Sequence, residues 1–155
     1  MTRRRLIAGN WKMNKTAAEA VSFIKILSEV SSGMVDVVLC PPFTALSEVS
    51  KCLPSFIGLG AQNVHAEPRG AFTGEISVEM LKEWNVRYVI VGHSERRQYF
   101  GETNESIRAK VKSLWQGGIC PILCVGESLA ERRNRQTLTV LGKQLREVLK
   151  EHDTS

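Results

Sequence analysis

The sequence predicts an α/β fold in which strand–helix units share a parallel sheet, and three observations carry that prediction. Short apolar runs recur along the chain, amphipathic helical patterns separate them, and no linker or low-complexity stretch interrupts the 155 residues. Alternation of this kind reads as parallel strands joined by helical crossovers. A single domain over residues 1–155 is therefore expected.

The elements follow in order. Leu6-Ile7-Ala8, Val35 to Cys40, Ile57 to Ala61, Tyr88 to Val91 and Ile119 to Val125 read as strands buried on both faces. After the first, Thr16 can cap a helix whose Ala20, Phe23, Ile24, Leu27 and Val30 fall at helical spacing. After the second, Thr44 opens a helix through Leu46, Val49 and Leu53. Glu79 to Trp84 makes a short one, and Ser94 to Tyr99 can form another directly after the fourth strand. Thr103 caps a helix carrying Ile107, Val111, Leu114 and Trp115, which Gly117-Gly118 stops. Leu138, Leu141, Leu145, Val148 and Leu149 form a last apolar stripe.

Five such units fit an open, doubly wound sheet with helices on both faces. They fit equally well as part of an eight-unit barrel, whose roughly 250 residues give about 31 per unit. Both architectures place chemistry at the C-terminal ends of the strands. Strand one ends in Asn10-Trp11-Lys12, an amide and an ammonium delivered by an apolar run. Strand three leads into Gln62 and a long loop from His65 to Gly74, with Phe72 and Thr73 at its tip. Unstructured loops of this length are usually functional or interface-forming. Strand four ends in Gly92-His93-Ser94-Glu95, which sets an imidazole at a helix start, where the dipole favours the neutral ring. Such a ring can donate a hydrogen bond to a polarised carbonyl oxygen. Strand five ends in Cys124-Val125-Gly126-Glu127, which repeats the glycine-to-carboxylate turn.

Composition excludes several classes. A hydrophobic fraction of 43% and a charged fraction of 24% are those of an ordinary globular protein. No run is long enough for a membrane helix, and Leu6 to Gly9 is too short for a signal-peptide core. The four cysteines lack Cys-x-x-Cys spacing and read as reduced thiols of a cytoplasmic protein. Cys120 and Cys124 lie too far apart along a strand to chelate a metal. Gly58-x-Gly60 lacks a third glycine and sits inside a strand, so it is a poor nucleotide signal. Net charge +5 is spread along the chain without interleaved aromatics, which argues against nucleic-acid binding.

Six segments taken together resemble one family. They are Ala8-Gly-Asn10-Trp-Lys12-Met-Asn14, Cys40-Pro-Pro-Phe-Thr44, Gly60-Ala-Gln-Asn63, Gly70-Ala-Phe-Thr-Gly74-Glu75, Val91-Gly-His93-Ser-Glu95-Arg-Arg97 and Cys124-Val-Gly-Glu127. In order and in detail they resemble triosephosphate isomerase. The resemblance implies a TIM (β/α)8 barrel, of which about five units are present. It also implies interconversion of dihydroxyacetone phosphate and glyceraldehyde 3-phosphate without a cofactor or metal. By the same resemblance His93 is the electrophile, Lys12 the cation facing phosphate and enediolate, and Asn10 a neighbouring substrate donor. Glu95 is the catalytic carboxylate that positions Lys12 and handles protons in a secondary role, and Cys124 and Glu127 support the site from behind. Gln62 to Gly74 is the intersubunit loop, with Phe72, Thr73 and Gly74 reaching a partner subunit. The resemblance further implies that the histidine acts as a neutral ring paired with a glutamate base.

The family's catalytic glutamate sits in a Tyr-Glu-Pro-Val-Trp-type segment, and neither that segment nor the later phosphate-binding Gly-Gly pair occurs in these residues. The expectation is that the chain by itself isomerises triose phosphates very weakly or not at all. Five strands of a barrel also leave strands one and five without partners. Self-association is the favoured remedy, ahead of a complementary C-terminal fragment, a rearranged five-stranded open sheet or partial disorder.

Overall fold

The structure is a computed structural model that describes residues 4–27 and 35–150. Strands β1 (Arg5–Asn10), β2 (Val35–Cys40), β3 (Ile57–Ala61), β4 (Tyr88–Val91) and β5 (Cys120–Leu123) pair in parallel in the order β1-β2-β3-β4-β5. Helices α1 (Ala17–Leu27), α2 (Phe43–Cys52), α3 (Val78–Glu83), α4 (Ser94–Tyr99) and α5 (Asn104–Gln116) lie between the strands, and α6 (Leu129–Arg133) and α7 (Thr137–Leu149) follow β5.

Strand order decides between the two architectures. A doubly wound sheet reverses its order at a switch point, whereas here every strand pairs with the next one along the chain. Burial gives the same answer. Leu39, Ile57, Leu59, Ala61, Val89 and Val91 pack in one cluster with Ile24 of α1, Leu46 of α2, Leu81 of α3, Ile107 and Leu114 of α5 and Val148 of α7. The alternate residues Val38, Cys40 and Ile90 form a second, smaller cluster with Tyr88, Ile122 and Cys124, all from strands or strand ends. The helices thus cover one face, and the five strands form a curled half-barrel.

Glycines on β3 let the inner cluster close. A Cβ at Gly60 would lie 2.5 Å from the Cys40 sulfur, so the thiol fills the space a side chain would take. Register explains the arrangement: Gly60 pairs with Tyr88, and Val38 with Gly58, so bulky and absent side chains alternate across the inner face.

Most element boundaries match the sequence pattern, with three corrections. Burial of the strands on both faces holds only in the middle of the sheet: Leu6 is 42% and Ile7 58% exposed on β1, and Cys120 on β5 is exposed. Among the described residues no further strand pairs with either edge. Thr44 does not open α2. Its N-cap is Pro42, without a side-chain cap, and Thr44 lies inside the first turn, where the preset φ of Pro42 suits the cap region. A helix not anticipated, α6, is started by Ser128 and Glu131 in a reciprocal capping box. Val30, assigned to the first helix by pattern, lies outside the described residues. Thr16 caps α1 as the sequence predicts, its Oγ1 accepting the Glu19 amide at 3.4 Å while the Glu19 carboxylate accepts the Thr16 amide at 2.7 Å. Those hydrogen bonds hold the Glu19 carboxyl below its usual range.

Candidate active site

The strand ends converge as the sequence requires. Asn10 closes β1 and Lys12 follows two residues later. Gly92 leaves β4 with φ +71°, a left-handed turn that glycine adopts without a Cβ penalty. That turn makes His93 the N-cap of α4 and puts Glu95 in its first turn. A pocket of about 300 Å³ is lined by Asn10, Lys12, Gln62, His93, Glu95 and Arg96, among others.

The Lys12 ammonium donates to Glu95 Oε1 at 2.6 Å. Their side chains are 52% and 43% exposed, so solvent screens the pair and it adds little to stability. Its consequence is placement. The hydrogen bond from Lys12 holds the Glu95 carboxyl below the usual carboxylate range, against a smaller desolvation effect, and the Lys12 charge adds to the lowering. A carboxylate held in this way is a weak proton acceptor.

The Nδ1 of His93 accepts the Glu95 main-chain amide at 3.3 Å. A nitrogen that accepts carries no hydrogen, so the neutral ring has its proton on Nε2. The ring is then a directed donor.

Lys12 itself is strained. Its φ of +53° lies in the left-handed region, which costs a lysine about 1–3 kcal/mol. Asn10 Oδ1 accepts the Lys12 amide at 2.9 Å. Gln62 Nε2 donates to the Lys12 carbonyl at 2.9 Å and to the Cys40 carbonyl at 2.8 Å. The Trp11 amide also donates to that Cys40 carbonyl, at 3.1 Å.

A buried ionic cluster backs the pocket. Lys110 of α5 donates to Asn63 Oδ1 at 2.8 Å and also to Glu102 Oε1, which accepts Arg96 Nε at 2.6 Å. The Glu102 side chain is 5% exposed. Burial pushes its carboxyl up, but the hydrogen bonds and charges of Arg96 and Lys110 leave it below the ordinary range. Arg97 ties three segments together by donating to Gly92 O at 2.8 Å, to Asn104 Oδ1 at 2.6 Å and to Cys124 O at 3.5 Å.

Of the residues singled out from sequence, Asn10, Lys12, His93 and Glu95 come together at this pocket. Cys124 lies behind His93, at the end of β5; the two share a neighbouring cavity of about 810 Å³ with Glu127. Glu127 turns toward the C-terminal helices, accepting Thr137 Oγ1 at 3.1 Å and pairing with Arg132 at 3.0 Å. Phe72, Thr73 and Gly74 are exposed on the long loop, where the Phe72 ring lies 4.1 Å from that of His65. Sequence reasoning placed Gln62 only at the start of the intersubunit loop, and it gave Arg97 and the Lys110 cluster no role in the site. Gln62 could have been found, because it follows β3 directly and so occupies a strand end. Lys110 could not, because its position on a helix face resembles that of any solvated lysine. Among the described residues no group of three His, Cys, Asp or Glu is placed to hold a metal ion, and no helix is long and apolar enough to cross a membrane.

The family model described as triosephosphate isomerase matches residues 5–155. Over 145 residues the chain is 57% identical to a triosephosphate isomerase of Alkaliphilus metalliredigens, covering 92% of this chain and 58% of the relative. It is 54% identical over 147 residues to one from Endomicrobium trichonymphae, covering 93% and 59%. For one from Dictyoglomus thermophilum the identity is 55% over 150 residues, covering 95% and 60%. The chain thus spans about three fifths of the length of the curated relatives it matches. With a sequential parallel sheet, helices on one face and this identity along nearly all of its length, the chain belongs to the triosephosphate isomerase family.

Proposed function

We propose that this chain carries the electrophilic and cationic part of a site that interconverts dihydroxyacetone phosphate and D-glyceraldehyde 3-phosphate, with the proton-abstracting carboxylate supplied from outside the described residues. The observation that supports this reading is the meeting of Asn10, Lys12, His93 and Glu95 around one pocket at the strand ends. His93 Nε2 donates to the substrate carbonyl oxygen and stabilises the enediolate that forms as a proton leaves carbon. The Lys12 ammonium offsets the negative charge of phosphate and enediolate. Asn10, whose Oδ1 is taken by the Lys12 amide, offers its Nδ2 to the substrate.

Glu95 is a poor choice for the base. Among the described residues it is the only carboxylate that lines this pocket, and Lys12 holds it ionised and engaged. A positioned general base contributes about 10²–10⁴-fold, so the chain alone turns over very weakly. No cofactor takes part in this scheme. The protein acts in the cytoplasm as part of glycolysis and gluconeogenesis, and it self-associates through the loop bearing Phe72, Thr73 and Gly74.

The test is a steady-state isomerisation assay on the purified chain. It is repeated after adding a polypeptide that corresponds to the part of the relatives this chain does not span. Rate should appear on mixing and vanish with His93→Gln. Full activity of the chain alone, abolished by that substitution, would place the base within these residues. No gain on mixing would favour a second reading, a half-barrel assembly module without catalysis, to which the exposed Leu6 and Ile7 on β1 point.

A further inference from the structure

We propose that Gln62 is a positioning residue that clamps Lys12 in its left-handed backbone conformation and thereby aims the ammonium at Glu95 and the pocket. The argument begins with strain. A lysine at φ +53° does not rest there by itself, so something must hold both ends of its peptide geometry. The amide side is held by Asn10 Oδ1 at 2.9 Å. The carbonyl side is held by Gln62 Nε2 at 2.9 Å, from a residue fifty positions away in sequence.

Gln62 is well placed to do this because its own anchor is rigid. It follows β3, and its amide nitrogen also donates to the Cys40 carbonyl at the end of β2 at 2.8 Å. One side-chain amide therefore spans the end of β2 and the turn after β1, spending both of its hydrogens. Lys12 is fixed to the sheet itself and not only to its own loop. Without the Gln62 donors, the Lys12 carbonyl loses the side-chain partner that holds it, and the residue is free to relax toward the right-handed region. The ammonium then leaves Glu95.

Lys12 has catalytic meaning only under the function proposed above, but the clamp is a statement about geometry. It is tested on the chain without any assay of turnover. Gln62→Met keeps the length of the side chain and removes both donors. The side-chain carboxyl of Glu95 is followed by carbon NMR as pH is lowered, in the parent and in the variant. The parent should titrate below the usual carboxylate range, because Lys12 is held against it. In Gln62→Met the midpoint should move up toward the ordinary range, with the far-ultraviolet circular dichroism unchanged. An unchanged midpoint in a folded variant overturns the proposal.

Should Gln62→Met fail to fold, exchange in the parent decides instead. The Gln62 side-chain amide hydrogens should exchange with solvent roughly tenfold more slowly than those of the exposed Gln98, as hydrogen-bonded donors do. Equal rates overturn the clamp. A negative turnover assay would leave either result standing, so the two proposals fail separately.

Discussion

The two faces of one sheet differ more than its five strands differ from one another. On the outer face, Leu39, Leu59, Val89 and Val91 meet side chains from five helices and are buried. On the inner face, one residue along, Val38, Cys40 and Ile90 meet only strand residues, and Leu6 lies open at the β1 edge. The outer face is closed by helices that directly precede or follow each strand. The inner face of a barrel is closed by strands from across it. Completeness of packing thus follows sequence distance, and the site sits where the two faces meet at the strand ends.

This contrast can be broken experimentally, and the largest effect should be chemical. Burial pushes the Cys40 thiol up to about 12, with the Cys124 thiol adding to it. At pH 8 it should therefore react with a disulfide reagent about 10³-fold more slowly than a free thiol. Cys120, exposed on the same inner face, should react fast. Labelling of the native chain followed by mass spectrometry reads both sites. Slow Cys120 would mean that another surface covers the inner face in solution.

The next effect is on stability. Leu81 is fully buried in the outer cluster, and Leu81→Ala should cost about 2–5 kcal/mol by denaturant titration. Leu6→Ala on the open face should change stability by no more than about 0.5 kcal/mol. Comparable costs would show that the faces are equally packed.

Glu102 sharpens the comparison where the α5 layer reaches the site. Glu102→Gln should cost about 1.5–3 kcal/mol at neutral pH by weakening charged hydrogen bonds to Arg96 and Lys110. The sign of its pH dependence is set by a folded-state pKa below the unfolded one. Its contribution is full above the ordinary carboxylate range and is lost as pH falls through the lower folded value. Stability of the parent should therefore drop on acidification below that point, and more steeply than that of Glu102→Gln. Parallel curves would remove Glu102 from the account. On the inner face Gly60→Ala should cost about 1–3 kcal/mol, because the added Cβ meets the Cys40 sulfur. A neutral result would show that the inner cluster has room to shift.

The sequence was most legible where local physics suffices. Val35–Cys40, Ile57–Ala61 and Tyr88–Val91 were bounded correctly because each apolar run is flanked by polar or turn residues. Thr103 was identified as a cap because its hydroxyl accepts the Ser106 amide three residues on, a purely local bond. Open sheet versus barrel was not legible by periodicity alone, since the two share the same alternation. Strand order settled it. In the site, His93 and Lys12 stood out because strand ends are where chemistry belongs. The partners that hold them did not: Gln62 acts on a carbonyl fifty residues away, and Lys110 on Asn63 forty-seven away. Such pairings depend on tertiary distance, which no spacing rule encodes. The Ser128 capping box was readable and was overlooked, because α6 has only five residues and no apolar stripe.

Sequential strand order has a kinetic consequence. Each strand pairs with the one made just before it, across one or two intervening helices, so loop closure is short and its entropy cost changes little from unit to unit. During synthesis the second strand can dock on the first while later ones are still unmade, and assembly proceeds like the winding of a spool. Nothing need be undone when the next turn arrives.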